Sequence, residues 1–193
     1  MAGDGSDARM RVVVVPLPAQ GHLNQLLHFS RAIAQRGASI SFVATSTHIH
    51  QVRQRVQGWD LHKFDIHFEE LPMPHVTGEE LDVQSTNTFP LHLIPLFEAV
   101  EDQLGFHVDQ LLHTICSENS KRVLIVYDAS MGWIQTLATK YSILAYIFRS
   151  TSAYYNLRRK QVRDETWDLP ERLIKYSRRQ RSLLGPAKGR DIS

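Results

Sequence analysis

Residues 11–37, RVVVVPLPAQGHLNQLLHFSRAIAQRG, leave little freedom in what this chain can build. Val12 to Val15 form an unbroken β-branched run, the pattern of a strand covered on both faces. Pro16 and Pro18 end it, because each lacks a backbone donor and fixes φ. Gly21 permits a tight entry into a helix. Along that helix Leu23, Leu26, Leu27, Ser30, Ile33 and Ala34 fall mostly on one stripe, and Gly37 supplies the stop. A buried strand, a sharp loop and an amphipathic helix in this order open an α/β fold.

The remaining pattern repeats that alternation. Ala38 to Thr45 reads as a second strand, and Ser46 or Thr47 caps a short helix through about Gln57 before a break at Gly58. Phe64 to Phe68 alternates, with Phe64, Ile66 and Phe68 on one face and His67 on the other. From Glu69 to Pro90 the prolines, glutamates and scattered polar residues predict a long loop, a length that suits a segment covering a site. Residues 91–116 carry a broad apolar stripe from Leu93 to Ile115, with Pro95 either in the first turn or bending the helix. Arg122 to Tyr127 is a fourth strand, Ala129 to Lys140 a helix and Ile143 to Phe148 a fifth strand. The expected fold is Rossmann-like, a mostly parallel sheet flanked by helices, over residues 11–157. Residues 1–10 are expected to be flexible, and 158–193 form a charged segment of different character.

Two residues stand where chemistry is expected. In an open α/β sheet, ligands bind beyond the carboxyl ends of the strands. His22 lies there after the first strand, and Asp128 after the fourth. A helix N-terminus disfavours added positive charge, so His22 is expected to resist protonation and to serve as a base near neutral pH. The plainer role is a helix-start histidine that hydrogen-bonds a loop. Asp128 likewise either caps the next helix or orients a catalytic partner. Contact between the two follows if their strands are neighbours.

Composition narrows the function. A net charge of +2 over 193 residues makes no case for nucleic-acid binding. Cys116 is the single cysteine, which excludes an intramolecular disulfide, and its helical neighbours give it a packing role. His48 and His50 are two apart on a helix and do not share a face, so no metal site is expected. The loop after the first strand is neither a P-loop nor GxGxxG, and no bound cofactor is expected. The opening MAGDGSDARM lacks the basic start and apolar core of a secretory signal, and no run approaches the ~20 apolar residues of a membrane span. The expected location is the cytoplasm. Lys175, Arg178, Arg179 and Arg181 read as a solvated face.

PLPAQGHLNQLLHFSRAI resembles the N-terminal segment of plant family-1 UDP-sugar-dependent glycosyltransferases, whose GT-B fold places two Rossmann-like domains face to face. Many members carry a proline where this chain has Gln25. GHLNQLL and VQGWD, at Val56 to Asp60, are most similar to the zeatin O-glucosyltransferase branch, and the resemblance runs with gaps from about residue 11 to 157. It implies that the chain is the acceptor-side, N-terminal half of such an enzyme. It also implies inverting transfer of glucose, or xylose, from a UDP-sugar to a small-molecule hydroxyl such as that of the cytokinin zeatin. His22 would be the base and Asp128, in YDASMG, its partner. Gly21 would approach the donor, and Phe89, His92, Phe97, Phe148, Ser150 and Thr151 would contact the acceptor. Arg149 departs from the residue usual in FRSTSAYYNL; pointing inward it would disturb an apolar acceptor pocket, and outward it would change little. The donor-side signature with HCGWNS does not occur in the 193 residues. They are therefore expected to need a donor-binding domain as partner. The alternative is an inactive homologue acting at most as a small-molecule or protein-binding domain.

Overall fold

The computed structural model describes residues 10–59, 63–73, 98–118 and 122–150. The expectations for Phe89, His92, Phe97, Thr151, residues 1–9 and the 158–193 segment lie outside these residues.

Five strands form one parallel sheet: β1 (Arg11–Val15), β2 (Ser39–Thr45), β3 (Ile66–Leu71), β4 (Val123–Asp128) and β5 (Leu144–Phe148). Their order is β3-β2-β1-β4-β5. β1 is thus central, with Val12 opposite Ile40 on one side and Leu124 on the other. Because successive side chains point to opposite faces, its valines divide between two cores. Val12 and Val14 join Leu23, Leu26 and Leu27 of α1 (Gln20–Ala34) and Ile49 and Val52 of α2 (Ser46–Arg55). Val13 and Val15 join Val108 and Leu112 of α3 (Gly105–Ser117) and Ile134 of α4 (Ile134–Lys140). This two-sided burial is why the strand needs a continuous apolar run.

Several element ends differ from the sequence reading. β3 continues through Glu69 and Glu70 to Leu71, where a loop was expected, because its backbone stays paired with β2 as far as Thr45 opposite Leu71. Leu71 is buried in the α3-side core, whereas Phe64, Ile66 and Phe68 pack on the α1 side. Thr45, rather than Ser46 or Thr47, occupies the N-cap of α2, and no side chain caps that helix. α3 is preceded by a π-helical turn, Val100–Leu104. The buried positions Val100, Leu104 and Val108 are four apart, a spacing that drifts around an ideal helix, and the wider turn absorbs the drift. Gly37, at φ +91°, ends α1 in the left-handed conformation that the stop signal required.

Polar residues cross the α3 face near the amino end of β1. Arg11 donates through Nε and Nη2 to the buried Ser41 Oγ, at 3.1 and 3.0 Å, and through Nη1 to Glu118 Oε2 at 3.0 Å. The apolar layer consequently lies toward the carboxyl end, beneath the site.

Burial predicts unequal tolerance to truncation. Leu23 is fully buried between α1 and the sheet, so Leu23→Ala should cost about 2–5 kcal/mol of unfolding free energy in urea titrations. Leu144, 67% exposed at the start of an edge strand, should change by less than about 0.5 kcal/mol as Leu144→Ala. Equal losses would refute the packing of α1 on this face.

Candidate active site

The order β3-β2-β1-β4-β5 reverses direction between β1 and β4, and a crevice forms where connections leave adjacent strand ends toward opposite faces. From β1 the chain passes through Pro16, Leu17 and Pro18 into α1, of which His22 is the third residue. From β4 it reaches Asp128, the last strand residue, one position beyond the Val15–Tyr127 pair. Parallel pairing of the two strands therefore brings together side chains 106 residues apart. His22 Nδ1 lies 2.6 Å from Asp128 Oδ2.

The bond defines the state of the ring. A carboxylate only accepts, so Nδ1 carries the proton and donates it to Asp128. In the neutral ring this leaves the lone pair on Nε2, which has no hydrogen-bond partner among the described residues. Asp128 is 1% exposed, and its second oxygen, Oδ1, accepts from the Ser130 backbone N–H at 2.9 Å. Both oxygens are thus committed. The carboxylate caps the turn after β4 rather than the helix beyond it, since α4 starts only at Ile134 with Trp133 at its N-cap. Capping and orienting are performed at once by different oxygens. Burial pushes the neighbouring Tyr127 phenol to about 12, and its hydroxyl donates to Gln135 Oε1 at 3.1 Å, so it adds no second negative charge near neutral pH.

The expected direction of the His22 pKa is reversed. The hydrogen bond to Asp128 raises it above the ordinary 6.5, burial opposes this, and the carboxylate's charge adds to the rise. A charged partner at 2.6 Å outweighs the diffuse dipole of the helix terminus. The result is a stronger base that gives up some of its neutral fraction near pH 7.

The other expected residues are distributed around this pair. Ser150 places Oγ 2.9 Å from His22 Nδ1, and its carbonyl accepts from Gln25 Nε2 at 3.2 Å. Phe148 pairs with Asp128 in the sheet and its ring packs 5.5 Å from that of Phe29, centre to centre, against the α1-side core. Arg149 is exposed, the orientation in which its departure from the usual residue matters little. Gly21 is exposed too, and a Cβ placed on it meets nothing within 4 Å, so the space above it is open. His48 Nδ1 lies 2.5 Å from Thr45 Oγ1, and His50 faces Gln54. Among the described residues no three His, Cys, Asp or Glu side chains are grouped to hold a metal ion, and no helix is long and apolar enough to cross a membrane.

A small hollow at the carboxyl ends of β1 to β3, with about 10 Å³ of space and so room for no more than about one water, had no signal in the sequence. Pro16 and Pro18 line it from the loop before His22, with Val43, Leu71, Leu104 and Met131 below. Its wall is almost wholly apolar, with Thr45 as the hydroxyl-bearing exception. No local signal could reveal it, because its lining comes from separate elements.

Residues 8–177 match the family described as glycosyltransferase, N-terminal domain. Cis-zeatin O-glucosyltransferase 2 of Zea mays is 42% identical over 130 residues, which cover 67% of this chain and 28% of that protein. Zeatin O-glucosyltransferase of Phaseolus lunatus is 35% identical over 149 residues, 77% of this chain and 31% of the relative. The chain thus spans under a third of the length of these relatives. The crystal structure of Medicago truncatula UGT71G1 complexed with UDP-glucose superposes with a TM-score of 0.63 over 86% of this chain and 36% of that one, at 16% identity, and so shares the fold. The chain belongs to this glycosyltransferase family.

The raised pKa of His22 gives a signed prediction. A group whose folded pKa exceeds its unfolded value contributes stability that is complete below about 6.5 and is lost as pH rises through the folded pKa. Asp128→Asn should lower the His22 pKa, followed by NMR of the ring protons, and flatten that part of the stability profile. An unchanged titration would disconnect the two residues.

Proposed function

We propose that the chain is the acceptor-side half of a UDP-sugar-dependent O-glycosyltransferase that glucosylates a small hydroxylated acceptor of the zeatin type. The observation that carries this reading is the 2.6 Å His22–Asp128 bond at the β1–β4 crevice, together with family membership. The fold alone would not suffice, since one fold hosts many chemistries.

In this reading the acceptor hydroxyl donates to His22 Nε2. As its oxygen attacks the anomeric carbon, the proton passes to Nε2 and the bond from that carbon to the UDP oxygen breaks, leaving the anomeric centre inverted. Asp128 fixes the Nδ1–H tautomer, holds the ring and stabilises the imidazolium as it forms. The raised pKa suits an acceptor hydroxyl that is itself a weak acid. Gly21 gives the donor's phosphates an open approach to the first turn of α1, which carries no acidic residue and no side-chain cap. Phe89, His92, Phe97 and Thr151 remain acceptor contacts in this proposal.

Departure of UDP needs electrostatic stabilisation that His22 and Asp128 do not provide. We assign it to a donor-binding domain, whose HCGWNS signature does not occur in these 193 residues. Without that domain the chain acts as an acceptor-binding module.

The test is product formation from UDP-glucose and zeatin, read by mass. The full chain would be assayed alone and joined to the donor-binding half of a relative. Product is expected only from the joined form, and His22→Ala should reduce its rate by about 10²–10⁴-fold, the usual worth of a positioned general base. Undiminished transfer by the His22→Ala form would overturn the assignment.

A further inference from the structure

His22 Nδ1 faces two oxygens, and the proposed reaction uses only one of them. Asp128 Oδ2 is 2.6 Å away; Ser150 Oγ is 2.9 Å away and belongs to the segment immediately after β5. Ser150 is fixed in turn by α1, because Gln25 Nε2 donates to its carbonyl at 3.2 Å. Gln25 sits three residues along the helix from His22, so base and anchor share one rigid element. The Ala129 N–H donates to the Phe148 carbonyl at 3.0 Å, which sets the height at which the chain leaves β5. The ring is therefore enclosed on its Nδ1 side by two strand ends, β4 through Asp128 and β5 through Ser150.

Nδ1 has one proton. While the carboxylate holds it, the Ser150 hydroxyl oxygen can act at Nδ1 only as a second acceptor of the same N–H, in a three-centre bond. Such an acceptor favours the Nδ1–H tautomer and the imidazolium, and it removes one direction in which the ring could rotate. A hydroxyl that instead donated to Nδ1 would stabilise the opposite tautomer, with the proton on Nε2. That form has no lone pair for a substrate.

We propose that Ser150 and Gln25 form a positioning latch, in which Gln25 holds the Ser150 backbone and the Ser150 hydroxyl shares the Nδ1 proton of His22. Neither residue touches the reacting atoms. The latch ties the exit of β5 to the orientation and basicity of the base, and it rests on the reading of His22 and Asp128 as base and partner.

The experiment is nitrogen-15 NMR of the His22 ring in the full 193-residue chain, with circular dichroism to confirm folding. It reads tautomer and titration directly and needs no turnover. Ser150→Ala should move the His22 pKa downward and admit a visible share of the Nε2–H tautomer, and Ser150→Thr, which keeps the hydroxyl, should restore both. Gln25→Ala should shift them in the same direction, and the Gln25→Ala, Ser150→Ala pair should go no further than Ser150→Ala alone. An unmoved ring in Ser150→Ala, or an upward shift with more Nδ1–H, would overturn the latch. A silent Gln25→Ala would overturn the anchoring half of it. Asp128→Asn separates the two readings: if it shifts the ring and Ser150→Ala does not, only the latch falls, and if neither does, the base–partner reading falls with it.

Discussion

Parallel hydrogen bonding between β1 and β4 is the constraint on which the site depends. Arg11 to Val15 pair in register with Val123 to Tyr127, and the next residue on β4 is Asp128. A shift of one residue would turn the Asp128 side chain to the other face and abolish the bond to His22. The register is secured by the division of Val12 and Val14 from Val13 and Val15, since a slip would exchange both cores at once. The same alternation that buries the central strand thus aims the carboxylate.

Coupling between packing and chemistry continues outward from that strand. Asp128 is buried, yet each of its oxygens has a donor, so the cost of removing a carboxylate from water is offset by a ring N–H and a backbone N–H. His22 is only partly covered and stands at the boundary between this polar contact and the open crevice. One side of the ring is committed to protein through Nδ1, and Nε2 on the other has no hydrogen-bond partner among the described residues. At the opposite end of β1, Arg11 takes polar partners from β2 and from the end of α3, which keeps the charged and apolar parts of the α3 face separate.

Much of this was legible in the sequence because periodicity is local. The valine run, the α1 stripe, Gly37 and the VLIVY run each declared an element, and strand ends at His22 and Asp128 declared a crevice. Features that depend on neighbours distant in sequence were not legible. β3 extends to Leu71 because β2 offers it partners, although Glu69 and Glu70 read as loop. The His22 pKa rises because Asp128 arrives from 106 residues away, a fact its own helix does not contain. Gln25 was visible as a departure from the family's usual proline, but its bond to the Ser150 carbonyl exists only once β5 is in place.

The strand order also governs the order of events in folding. In β3-β2-β1-β4-β5 every neighbouring pair is parallel, so no two strands can form a hairpin and each must wait for a connecting segment to close. β1 emerges first during synthesis but acquires its second neighbour only after residue 123 has been made. Until then one edge of this valine-rich strand has no permanent partner. Such long-range pairing makes for slow folding and a growing chain open to wrong association. A nascent chain that has not yet added β4 carries His22 without its carboxylate partner, so the pair forms only when β4 docks beside β1.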